Sequence, residues 1–278
     1  MEELKKYSSN KSQVKVLQAL LNLHNAHLLV DGSFGEGTYK EVRSWQRRNA
    51  LKVDGVVGKQ TWKSLGVQET RKDVLVLKVP FKNITAQAML LNNGQNYPFS
   101  KYSYQEEYNF VINGGMFVMP VKSVDKKYWY VVTNDTIQRG LLINGGNTSD
   151  IGIAFCNDRN TGCMYASTTN NSKGKLVDFI GGSPALYPER DDIGLSKSYL
   201  SQTTLWNMIG VDNENFYYGI NFARMRMNTL ANQIKNCGAK SIINLDGGGS
   251  RALAICQKVV FPTDGRGIPQ AIGLNIKY

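Results

Sequence analysis

The chain has 278 residues, 42% hydrophobic and 20% charged, the balance of a soluble globular protein. Its 33 Lys and Arg against 22 Asp and Glu give a net charge of +11, spread along the chain with no basic tail. That suits a polyanionic partner and gives no pointer to nucleic acid. The 2 histidines are His24 and His27, so chemistry beyond residue 70 runs without imidazole. A Ser-His-Asp triad, a Cys-His pair and a His-ligated zinc site are excluded there.

The N-terminal stretch MEELKKYSSN has no apolar leader segment, and no apolar run reaches membrane-spanning length. A membrane partner is therefore not expected. Val14, Leu17, Leu20 and Leu21 form the first helical stripe. A repeat follows: Val30-Asp31-Gly32 through Thr38 recurs as Val53-Asp54-Gly55 through Thr61, with V-D-G-x-x-G-x-x-T intact in both copies. Asp-Gly makes a tight turn, and the Thr region starts a helix. Helical spacing continues at Tyr39, Val42, Trp45 and Gln46 and again at Trp62 and Leu65. Three short helices and two Asp-Gly loops predict a small bundle over residues 1–67, with Trp45 and Trp62 in its core.

The segments LQALLN, VDGSFGEGTYKEVRSWQRRNAL and KVDGVVGKQTWKSL resemble the peptidoglycan-binding domain family found at the ends of many wall hydrolases. Trp45 stands where that family usually has Phe. The resemblance implies that residues 11–66 hold peptidoglycan.

Residues 68–73 are polar and read as a linker. From Val74 the texture changes to strands, among them VLVLKV, NFVING, YWYVVT, GLLING, IGIAF, FYYGI, SIINLD and IGLNI. One amphipathic helix is expected near Asn228–Cys237, stopped by Gly238. Residues 74–278 thus read as a mixed-sheet α+β catalytic domain, and the whole chain as α+β. Cys156, Cys163, Cys237 and Cys256 lack CxxC spacing. Free thiols are expected, although Cys156 and Cys163 flank a polar stretch where a disulfide would fit.

The strongest local signal is the run Ser241 to Arg251, SIINLDGGGSR. A buried strand ends in Asn244-x-Asp246, so both polar side chains point one way. Gly247, Gly248 and Gly249 let the backbone curl and aim N–H groups at an anion. Ser250 and Arg251 add a hydroxyl and a cation. Two further strand ends look like the same device: Asn113-Gly114-Gly115, and Gly181-Gly182-Ser183. Ile143-Asn144-Gly145-Gly146 reads as a plain hairpin turn.

In this order INGGMF, GGSPAL and NLDGGGS, followed by Arg266 in RGIPQAIGL, resemble the phosphodiester glycosidase family. The family includes the lysosomal enzyme that uncovers mannose 6-phosphate. The resemblance implies an α+β fold and hydrolysis of a bond between a sugar anomeric carbon and a phosphodiester oxygen. Carried onto this chain, it gives Asp246, Asn113 and Ser250 as catalytic candidates. Gly114, Gly115, Gly182, Ser183, Gly247, Gly248, Gly249 and Arg266 become candidates for holding substrate phosphate, joined by Arg251 from this chain's own residues. The chain departs from the family at Arg251, where Ser or Thr is usual, and at Trp206, where an Arg is common.

A glycosyl phosphate leaves as a phosphate monoester, so strong protonation of the leaving group is not required. Asp246 suits a general base or a stabiliser of the oxocarbenium ion. Asp178, Glu189 and Asp264 are nearby acids, each read as a surface residue. No organic cofactor is expected, and the metal is left open: hard oxygen ligands would suit a calcium ion, but no EF-hand spacing occurs.

The expected partners are peptidoglycan and an anionic wall polysaccharide, teichoic acid foremost. The expected place of action is the bacterial cell wall. Without a visible export signal, a phage lysis protein or a virion component is the expected setting. The alternatives are a peptidoglycan glycan-strand hydrolase of the endolysin kind and a non-catalytic wall-binding virion protein.

Overall fold

The computed structural model describes residues 1–68, 70–86, 97–115 and 201–277 in full, and only the backbone of strands at 87–89 and between 117 and 186. The first three helices are Lys11–Leu23, Glu36–Arg48 and Lys59–Ser64, where the apolar spacing places them. Asn10 caps the first, its side chain accepting the Gln13 amide.

A buried glutamine explains the repeat. Gln18 Nε2 donates to Asp31 Oδ1, Ser33 O and Thr38 Oγ1, while Gln18 Oε1 accepts from Gly32 N. Gln46 does the same one repeat later, with Asp54 Oδ1, Val56 O, Thr61 Oγ1 and Gly55 N. Each Asp-Gly turn is thus locked to a helix by one side-chain amide. Gly32 and Gly55 have φ of +80° and +76°, which favours glycine. Both tryptophans are core residues, as expected: Trp45 Nε1 donates to Ser64 Oγ at 2.8 Å, and Trp62 Nε1 to Glu2 O at 2.9 Å.

Beyond the bundle, two five-stranded sheets pack face to face. One has the order Val74–Pro80, Asn215–Asn221, Asn207–Val211, Ser241–Asn244, Ser183–Leu186. The other runs Lys258–Phe261, Leu253–Ile255, Phe110–Asn113, Ala271–Ile276, Ile84–Met89. Their facing side chains form one apolar layer that includes Ile209, Tyr218, Ile243, Phe110, Ile112 and Leu274. Phe110 and Tyr218 meet edge to face across it, centroids 5.3 Å apart.

Helix Met227–Asn236 covers the outer face of the first sheet through Leu230, Ala231 and Ile234. It ends at Gly238, φ +114°, as the sequence predicts. The short helix Phe99–Ser103 covers the outer face of the second. The α+β class therefore holds. All described ladders are antiparallel; the parallel pairs of a mixed sheet do not occur among them.

A third five-stranded sheet contains Val177–Gly181. The chain leaves it at Gly181 and joins the first sheet at Ser183, which registers opposite Asn244.

The segment expected as a linker is tied down. Val67 bridges Leu77, Gln68 N donates to Val76 O, and Lys78 N donates to Gly66 O. Gln13 Nε2 holds Lys72 O at 2.7 Å, and Arg71 N donates to Gln233 Oε1. Helix Lys11–Leu23 lies over strands Leu253–Ile255 and Lys258–Phe261. One hydrophobic cluster runs unbroken from the bundle into both sheets. The bundle is docked on the strand pair that leads away from the glycine-rich loop.

Candidate active site

Strand Ser241–Asn244 carries the chain to Leu245, whose amide donates to Asn207 O, and then into the loop Asp246–Arg251. Asn113 closes that loop. Its Nδ2 donates to Asp246 O at 2.7 Å, and its Oδ1 accepts from Ala252 N at 2.8 Å. Asp246 N returns a bond to Gly114 O. One side-chain amide from the second sheet thus holds both ends of a loop that grows from the first. Asn207 Nδ2 donates to the same Asn113 Oδ1 at 2.7 Å.

The glycines answer to space more than to anion binding. A β-carbon on Gly247 would come within 2.8 Å of Leu205 O, and one on Gly114 within 2.6 Å of the Gln270 side chain. Gly248 has φ +58°. A β-carbon on Gly249 would overlap the Asp264 carboxylate and lie 2.7 Å from the Arg266 guanidinium. The expected fan of amides aimed at one anion is correspondingly thinned. Gly248 N is committed to Leu205 O, Ser250 N to Gly247 O, Arg251 N to Gly248 O, and Gly114 N to Gln270 O. These bonds turn the loop into a single 3₁₀ turn, Gly248–Ser250.

At its start stands Asp246. Burial pushes its carboxyl above the ordinary carboxylate value, with the Ser250 hydroxyl, the Gly247 amide and the Arg266 charge pulling it back. A carboxyl so placed exchanges a proton nearer neutrality than a surface one does. Arg266 reaches Asp264 with two bonds, 2.7 and 2.6 Å, and this pairing lowers the Asp264 pKa. Asp264, expected as a surface acid, is exposed as expected and forms an ion pair with Arg266 over Gly249.

Arg251 lies over the Phe261 ring at 4.8 Å, and its Nη1 donates to Asn221 O at 2.5 Å. No carboxylate pairs with it among the described residues, whereas Arg266 is paired with Asp264. Trp206, at the position where the family commonly has an Arg, is core: its indole donates to Met225 O and its amide to Asn221 Oδ1, both at 2.6 Å.

The fold brings Asn113, Gly114, Asp246, the three loop glycines, Ser250 and Arg266 together, with Gly115 buried next to them. Ser183 joins them through the backbone register with Asn244. Gly182, Glu189 and the Gly145-Gly146 pair lie outside the described residues, as does Cys163 and hence its pairing with Cys156; of Asp178 only the strand backbone is described. Cys237 and Cys256 are free thiols, as expected, and burial pushes Cys237 up to about 11. Among the described residues no three His, Cys, Asp or Glu cluster to hold a metal ion, and no helix is long and apolar enough to cross a membrane. Asn207 and Asn221 escaped the sequence reading. Each stands at one end of a largely apolar strand, and nothing local distinguishes it.

Residues 10–65 match the model of the peptidoglycan binding domain, and residues 106–275 match that of the phosphodiester glycosidase family. Among solved structures, the catalytic domain of zebrafish N-acetylglucosamine-1-phosphodiester alpha-N-acetylglucosaminidase, auto-inhibited by its pro-peptide, is similar at TM-score 0.53 and 14% identity. That match covers 76% of this chain and 81% of the zebrafish one. A protein of Burkholderia pseudomallei described as exported is similar at TM-score 0.58 and 10% identity, over 72% of this chain and 73% of the other. At these identities the likeness is one of fold. The chain belongs to the phosphodiester glycosidase family and carries a peptidoglycan-binding domain ahead of it.

Proposed function

We propose that this phosphodiester glycosidase family member cuts the bond between a sugar anomeric carbon and a phosphodiester oxygen in teichoic acid or a related anionic wall polymer, while residues 11–66 hold peptidoglycan. The observation that carries this reading is Asp246: a carboxyl raised by burial, on a loop that Asn113 holds at both ends, with the Arg266 charge acting on it. In this mechanism ionised Asp246 activates water or stabilises the oxocarbenium ion. Ser250 orients it. Arg266, the cation that acts on Asp246, receives the departing phosphate.

A glycan-strand hydrolase would have to protonate a poor leaving group. The family match over residues 106–275 supports the phosphodiester reading over that one. The test compares walls bearing teichoic acids with walls stripped of them, following soluble products by mass spectrometry. Phosphorylated oligosaccharide from intact walls only, lost in Asp246→Ala, is the expected result; new muropeptide reducing ends from both would favour the glycan-strand reading. No product of either kind, with wall binding retained, would leave a binding protein. A phage would use such cleavage at lysis or infection, and lysis assays on whole cells test that setting.

A further inference from the structure

We propose that Asn207 is a positioning residue of this active site: by donating to Asn113 Oδ1 it sets the orientation of the Asn113 amide that clamps the Asp246–Arg251 loop. The proposal rests on the reading of that loop as the catalytic one. Asn113 must present nitrogen to Asp246 O and oxygen to Ala252 N. A terminal amide can rotate by half a turn at little expense, and a rotated Asn113 would set oxygen against oxygen and nitrogen against nitrogen. The Asn207 Nδ2 donor, 2.7 Å from Asn113 Oδ1, forbids that rotation, since the flipped amide would meet it with N–H groups.

Stability alone does not explain an asparagine at this place. Asn207 sits in the layer between the sheets, fully buried, and its Oδ1 has no hydrogen-bond partner among the described residues. An unpartnered buried acceptor is unfavourable, and an apolar side chain would avoid it. The same strand also holds the loop by its backbone, Asn207 O accepting from Leu245 N. Asn207 thus holds Leu245, the residue before Asp246, and Asn113, through which the second sheet grips both ends of the loop. Asn113 itself has every amide position committed within the protein. It holds the loop and leaves no group for substrate.

The charged groups around Asp246 among the described residues are Arg266 and its partner Asp264. Neither contacts Asn207, so a substitution there alters Asp246 only through the clamp.

Asn207→Leu is the test, with Asn207→Ala where leucine does not fit. Amide hydrogen exchange should quicken at Gly248, Ser250 and Arg251 while the strand amides of Ile209 and Ile243 stay protected. With a synthetic sugar-1-phosphodiester, kcat should fall about 100-fold, as for a misplacement near 1 Å, with KM changed less than about threefold. The acidic limb of the kcat/KM profile should move to lower pH, because a loosened loop admits water to Asp246. Unchanged loop protection overturns the proposal, as does faster exchange spread equally over the strands, or a KM effect with kcat intact. Exchange is read without turnover, so a chain inactive on sugar phosphodiesters would sink the enzymatic reading separately from the clamp.

Discussion

Gly249 lies directly under Asp264: the Asp264 amide donates to Gly249 O at 2.9 Å, and a β-carbon at 249 would intrude on the Asp264 carboxylate. The middle of the glycine-rich loop is therefore the seat of an ion pair. Through Arg266 that pair acts on Asp246.

Gly249→Ala should accordingly displace the Asp264–Arg266 pair. We expect a loss of about 1–3 kcal/mol in stability from overpacking, measured by urea unfolding. Activity should fall too, as Arg266 moves from Asp246. Adding Asp264→Ala removes the clash, so the double variant should be more stable than the sum of the two single effects. Strict additivity would show that the contact has no energetic role.

Asp246→Asn should abolish turnover, by at least roughly 100-fold, while raising stability at neutral pH. The sign follows from burial. The folded-state pKa of Asp246 is raised above the ordinary 3.8. Its contribution is therefore fully favourable below that value and is lost as pH rises through the raised one. The variant should be more heat-resistant than the parent at pH 7, and the difference should vanish near pH 3; thermal melts across that range check it. A variant less stable at pH 7 would mean that Ser250, the Gly247 amide and Arg266 outweigh burial.

Deleting residues 1–66 should damage the remaining fold. The bundle supplies Gly66 O to the Lys78 amide and the Gln13 side chain to Lys72 O, and covers part of the hydrophobic layer that contains Leu77 and Ile255. Each buried aliphatic side chain contributes about 1.5–3 kcal/mol. Exposing several should lower the melting temperature by roughly 10 °C or more. A 67–278 fragment that melts with the full chain would show that the wall-binding domain is a detachable anchor.

How much was legible depends on range. The repeat announced two turns and the glutamine at Gln46, and the helix ends at Gly238 and the strand runs were visible from periodicity, because turns and stripes are set by neighbours in sequence. The GGGS run was visible because three successive glycines are rare without a reason. The reason read from it, a fan of amides around an anion, was largely displaced by close packing against Leu205, Asp264 and Arg266, which are distant in sequence. Asn113 looked catalytic because it ends a strand beside two glycines. Its real bonds, to Asp246, Ala252 and Asn207, exist only where the two sheets meet.

The sequence by itself determined an α+β chain with a helical bundle in front, a histidine-free domain behind it, and one aspartate at the lip of a glycine turn. Tertiary structure alone decided which cation is neutralised, which asparagine holds the loop, and that the bundle is packed into the core it precedes. Local patterns record backbone conformation and burial. Charge pairing and hydrogen-bond partners depend on groups that only folding brings within reach.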